Sequence, residues 1–76
     1  MANFDREIDV SGLHCPMPIL RAKKALADMG PGQVLHIIAT DPASANDIPS
    51  FAKQTHNELV EAKQNGDKYH YLIKKT

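Results

Sequence analysis

The sequence predicts an α/β fold with the order β-α-β-α-β-β, a four-stranded mixed sheet carrying both helices on one face. Three observations carry this reading. Two segments repeat apolar residues at helical spacing. Four segments are short, apolar and rich in β-branched or aromatic residues. An Asn65-Gly66 pair separates the last two of these, a strong short-range hairpin signal. The opening strand–helix–strand unit predicts a parallel pair with a right-handed crossover, and the hairpin adds an antiparallel pair. With both helices on the same face, one layer of helix covers one layer of sheet.

Taken in order, residues 5–10 read as the first strand. Phe4, Ile8 and Val10 fall on one face of the extended chain, with Arg6 breaking the pattern, and Ser11-Gly12 ends it. Pro16 and Pro18 then mark a helix start, because a first-turn proline lacks an N–H that would have had no intrahelical partner anyway. Cys15 falls at or near the N-cap. Ile19, Ala22, Leu26 and Met29 form the buried stripe, Arg21, Lys24 and Asp28 the opposite side, and Gly30-Pro31-Gly32 stops the helix. Gln33–Thr40 is apolar and β-branched enough for a central strand, with Leu35, Ile37 and Ala39 inward and His36 on the other face. A second helix is expected within residues 43–56. Ser44 and Asp47 are its candidate caps, Pro49 belongs in its first turn, and Ile48, Phe51, Ala52 and Thr55 form its stripe. Asn57–Ala62 and Lys68–Lys74 are the hairpin strands. Tyr69, Tyr71 and Ile73 share one face, and His70 and Leu72 the other.

Size and charge narrow the function. A chain of 76 residues allows one domain, spanning residues 1–76, with a thin core. Nine basic and nine acidic side chains cancel, whereas nucleic-acid binders usually carry a net basic balance. No strong nucleic-acid binding is therefore expected. No apolar run approaches the roughly 20 residues of a membrane span. The N-terminal residues lack the basic and apolar stretches of a secretory signal, so the expected compartment is the cytoplasm. The single cysteine excludes an internal disulfide and any structural zinc site needing two or more cysteines. His36, His56 and His70 lack metal-ligand spacing and are expected at surface or sheet positions. No metal and no cofactor is expected.

Cys15 is the residue whose position suggests reactivity. A helix start favours negative charge, and the thiolate is the nucleophile. The flanking prolines stiffen the turn and remove competing N–H donors, while His14, Arg21 and Lys23 supply nearby positive charge. Spacing alone leaves open whether Cys15 is a reactive thiol or a small apolar residue packed at a helix end. Without a second cysteine, dithiol exchange within the chain is excluded.

The run Gly12-Leu13-His14-Cys15-Pro16-Met17-Pro18, between an early strand and a helix, resembles the TusA/SirA family of sulfur-carrier proteins. The resemblance continues through Pro31-Gly32, Ala39-Thr40-Asp41-Pro42, Asp47-Ile48-Pro49, Asn57-Glu58-Leu59 and Tyr69-His70-Tyr71-Leu72-Ile73-Lys74, nearly the whole chain. It implies a two-layer α/β sandwich and a sulfurtransferase activity. Cys15 would take sulfur from a cysteine desulfurase or another persulfide donor, hold it as a persulfide, and pass it to an acceptor protein. Family roles include tRNA 2-thiouridine relays, supply toward molybdenum-cofactor assembly, and sulfur-oxidation trafficking. Met17 stands where a tRNA-thiolation member carries an acidic residue, which leaves the acceptor open.

Around Cys15, the residues expected to meet partners are His14, Pro16, Met17, Pro18, Arg21 and Lys24, the last two as a docking patch for an acidic surface. A monomer suits a shuttle. Two other classes compete: a regulatory or RNA-binding module without sulfur transfer, and a redox sensor forming an intermolecular disulfide through Cys15.

Overall fold

Six elements follow one another in the expected order: β1 (Arg6–Val10), α1 (Met17–Ala27), β2 (Val34–Ala39), α2 (Ser44–Gln54), β3 (Glu58–Asn65) and β4 (Lys68–Lys74). They belong to a computed structural model that describes residues 4–14 and 16–76. Met1–Asn3 and Cys15 lie outside the described residues, so the expectation that Cys15 sits at the helix cap falls there too. The sheet order is β1-β2-β4-β3. β1 and β2 are parallel, and β4 runs antiparallel to both of its neighbours.

The register explains the core. Ile8 lies beside Ile37, which faces Tyr71, which faces Ala62. Because side chains alternate along a strand, this row and those two residues away point to one side. Val10, Leu35, Ile37, Ala39, Tyr71 and Ile73 meet Ala22, Ala25, Leu26 and Met29 of the first helix there, with Ile48, Phe51 and Ala52 of the second. Both helices thus cover the same face. The molecule measures 30 × 24 × 18 Å, and its shortest axis fits one helix layer on one sheet layer. Full burial of side chains such as Leu35, Ile37, Ile48 and Ile73 contributes about 1.5–3 kcal/mol each.

Several local expectations are corrected. Phe4 does not join Ile8 and Val10. The chain bends at Asp5, whose N–H donates to the Val34 carbonyl while its carboxylate accepts from the Val34 N–H. That leaves the Phe4 ring against His36, on the opposite side of the sheet. Pro49 sits inside α2 rather than in its first turn. The helix begins earlier because Asp41 turns the chain, its carboxylate accepting from the Ala43 N–H. Neither Ser44 nor Asp47 caps through its side chain. Ser44 is instead buried, with its hydroxyl 2.8 Å from the Tyr71 hydroxyl.

Ser44 rather than Thr55 completes the buried stripe of α2. Thr55 is exposed at the C-cap, where its hydroxyl donates to the Phe51 carbonyl. The hairpin is also displaced by one residue. Asn65 pairs with Lys68, so Gly66 and Asp67 are the central pair, and Gly66 takes the positive φ of 67° that the turn requires.

Candidate functional site

The loop from β1 to α1 is tied down before the helix begins. The Ser11 N–H donates to Asp9 Oδ1 at 2.9 Å, and Leu13 N–H donates to the Val10 carbonyl at 3.1 Å. Gly12, at φ 80°, donates its N–H to Thr40 Oγ1 at 2.8 Å, joining the loop to the end of β2. Hydrogen bonding from Ser11 holds Asp9 below the usual carboxylate range. The loop is therefore anchored at the carboxyl ends of the two parallel strands, where ligand and partner sites of α/β folds commonly lie.

At the helix start the two prolines act as the sequence suggests. Neither Pro16 nor Pro18 has an N–H to offer. The Met17 N–H donates to the His14 carbonyl at 2.8 Å and the Leu20 N–H to the Pro16 carbonyl at 3.0 Å. Pro16 occupies the N-cap, and no side chain caps the helix. The chain enters Cys15 from exposed His14 and leaves it through exposed Pro16.

The expected contact residues separate into groups. Met17 is 39% exposed and Leu20, one turn on, is 51% exposed, so an apolar edge lines the first turn. Pro18 differs: it is buried against the core, where it can stiffen the turn but presents no contact surface. Arg21 and Lys24 are exposed and line a cleft of ≈ 310 Å³ between α1 and β1, together with Arg6, Asp9 and Asp28. Arg6 and Asp28 approach to 3.8 Å as an exposed pair. Among the described residues neither Arg21 nor Lys24 forms an ion pair, leaving both cations available to a partner.

On the other side of the helix start, Pro16 and Ile19 face Asp47, Ser50, Phe51 and Gln54 across a shallow groove of ≈ 230 Å³. Sequence reasoning missed Leu20, Ser50 and Gln54. Leu20 was legible as an apolar residue lying off the buried stripe. Ser50 and Gln54 gain their place only because α2 packs beside α1. Among the described residues there is no cluster of three metal-ligating side chains.

This arrangement has close relatives. The family model for sulfurtransferase TusA matches residues 6–75. The chain is 64% identical over 76 residues, the full length of both sequences, to the sulfur carrier protein TusA of Allochromatium vinosum. Its fold superposes on the crystal structure of a SirA-like protein from Desulfitobacterium hafniense with a TM-score of 0.82. That match has 28% identity and covers 92% of this chain and 96% of the other. An anchored loop, a proline-framed helix start and likeness along the whole chain lead to one conclusion: the chain belongs to the TusA family of sulfur carriers.

Proposed function

We propose that this carrier holds its sulfur on Cys15 as a persulfide, acting as a sulfurtransferase together with partner proteins. The supporting observation is the rigid, exposed frame around that position: His14, Pro16, Met17 and Leu20 all reach the surface at the first turn of α1. In loading, the Cys15 thiolate attacks the outer sulfur of a donor persulfide. The donor's S–S bond breaks, its own thiolate leaves, and Cys15 keeps the outer sulfur as a persulfide. In unloading, an acceptor thiolate attacks that outer sulfur and the Cys15 thiolate leaves. One S–S bond forms and one breaks at each step, so neither needs an external oxidant or reductant. A thiolate is required at the start of each cycle and is the leaving group at its end, and the dipole of α1 favours both.

The partners are a cysteine desulfurase or other persulfide donor, and an acceptor in a tRNA-thiolation, molybdenum-cofactor or sulfur-oxidation relay. The apolar edge at Met17 and Leu20 excludes water from the reacting sulfurs. Arg21 and Lys24 orient an acidic partner surface, which acts mainly on association rate. A monomer in the cytoplasm suits successive brief contacts.

Incubation with a desulfurase and cysteine is expected to add the mass of one sulfur atom. Reductant should remove it, and Cys15→Ser should not acquire it. A wild-type chain that stays unmodified with desulfurase, with other persulfide donors and with thiosulfate-linked donors would overturn the proposal. In the same assay, Arg21→Glu with Lys24→Glu is expected to slow loading or unloading about tenfold, equivalent to about 1.4 kcal/mol.

A further inference from the structure

The face of the sheet turned away from the helices carries a feature that sulfur transfer does not use. There His36 of β2 and His70 of β4 lie side by side, with His36 Nε2 3.0 Å from His70 Nδ1. Their rings stack with centroids 5.3 Å apart at an interplanar angle of 19°. The His36 side chain is only 8% exposed. The Phe4 ring tilts against it at 4.8 Å, and Leu72, its register partner on β4, is fully buried on the same face.

Among the described residues, charged groups reach this pair from the strands, since both helices lie behind the sheet. From β1, Glu7 Oε1 stands 3.8 Å from His36 Nδ1. From β3, Glu61 has a buried Oε2 with no hydrogen-bond partner, and Lys63 borders the shallow pocket beside the two rings with Asn65. A metal ion does not fit this setting. No third ligating side chain joins the pair among the described residues, and Lys63, a cation, lines the pocket beside it.

The hydrogen count at the contact decides what the pair can do. Two ring nitrogens facing each other at 3.0 Å hold one hydrogen between them. The Glu7 carboxylate favours a hydrogen on His36 Nδ1, which leaves His36 Nε2 bare to accept from the His70 Nδ1–H. A proton added at His70 Nε2 keeps this bond and makes it charge-assisted. With that first proton on His70, a second one added at His36 Nε2 sets N–H against N–H, breaks the bond and places a second positive charge in the pair.

We propose that His36 and His70 form an acid-operated latch on the helix-free face, closed while they share one hydrogen and opened when His36 takes up a proton, uncovering Leu72. Burial pushes the His36 imidazole below its ordinary value, with Glu7 opposing, His70 adding to the fall and Glu61 opposing. The folded chain therefore resists a proton that the unfolded chain accepts near pH 6.5. The latch contributes its full stability above about pH 6.5 and loses it as the pH falls through the lowered midpoint of His36.

The test is an NMR titration of the full chain from about pH 8 to about pH 4, following the imidazole nitrogens and the leucine methyls. His36 is expected to protonate with a midpoint below about 6.5. The Leu72 methyls should shift with that same midpoint while those of Leu26, in the core behind the sheet, stay in place. In His70→Gln the amide can donate to neutral His36 and, turned over, accept from protonated His36, so His36 should titrate without the Leu72 shift. In the wild type, a His36 midpoint at or above the ordinary value, or Leu72 signals indifferent to His36 protonation, would overturn the latch. So would Leu26 and Leu72 shifting together, since that reports global unfolding. Sulfur loading on Cys15 is scored separately, so either proposal can fail alone.

Discussion

Tyr71 stands in the middle of β4 with its ring in the core and its hydroxyl 2.8 Å from that of Ser44 on α2. Both residues are 2% exposed, so each hydroxyl depends on the other. Tyr71→Phe is expected to leave the Ser44 hydroxyl buried and unpaired, at about 1–3 kcal/mol. Adding Ser44→Ala should restore part of that, and urea unfolding of the two singles and the double measures a coupling of about 0.5–3 kcal/mol. Strict additivity would mean that the bond contributes nothing. Burial also holds the Tyr71 phenol above its ordinary value. Stability should therefore fall as the pH rises past about 10, where the unfolded chain gives up this proton first. The two members differ in legibility: alternation placed Tyr71 inward, whereas Ser44 read as a cap because serine usually serves there.

At the scale of elements, the end of α1 depends on a residue far away in sequence. Lys75 Nζ donates to the carbonyls of Leu26 and Met29, both at 2.6 Å, and its backbone bonds to Gly32 and Gln33. A cation at a helix C-terminus opposes the negative end of the dipole, and here it adds to the Met29 N–H already donated to the Leu26 carbonyl. Lys75→Met keeps most of the stem and removes the ammonium. It is expected to cost about 1–2 kcal/mol in denaturant unfolding. An unchanged midpoint would show that water replaces the lysine. The β3–β4 turn offers an independent test. Gly66 has φ 67°, and a β-carbon there would meet open space. Gly66→Ala should cost about 1 kcal/mol through backbone strain alone, with Gly66→Asn closer to wild type.

For the whole molecule, the balance of nine basic and nine acidic residues bears on what the carrier meets. Sequence-independent RNA binding is expected to be weaker than about 10⁻⁴ M at physiological salt, measured by fluorescence anisotropy. Tighter binding with a steep salt slope, surviving Cys15→Ser, would restore the RNA-module reading. The two faces of the sheet also divide the labour. One supports the helices that frame the Cys15 loop, and the other holds the histidine pair. A change on the second face can thus be studied without altering residues around the thiol.

The sequence by itself determined the element order, the inward faces of β2 and β4, and the helix start at the prolines. Each depends on local periodicity or on the chemistry of one residue type, which neighbours along the chain suffice to express. Only the tertiary structure decided that Pro18 turns inward, that Phe4 crosses to the far face, and that Pro49 lies within a helix. It alone brought Ser50 and Gln54 beside Ile19, and Lys75 to the end of α1. Those placements depend on contacts between residues distant in sequence, which no local pattern encodes. His36 and His70 make the point most directly: alternation assigned each to the outer face, but strand register set their nitrogens 3.0 Å apart.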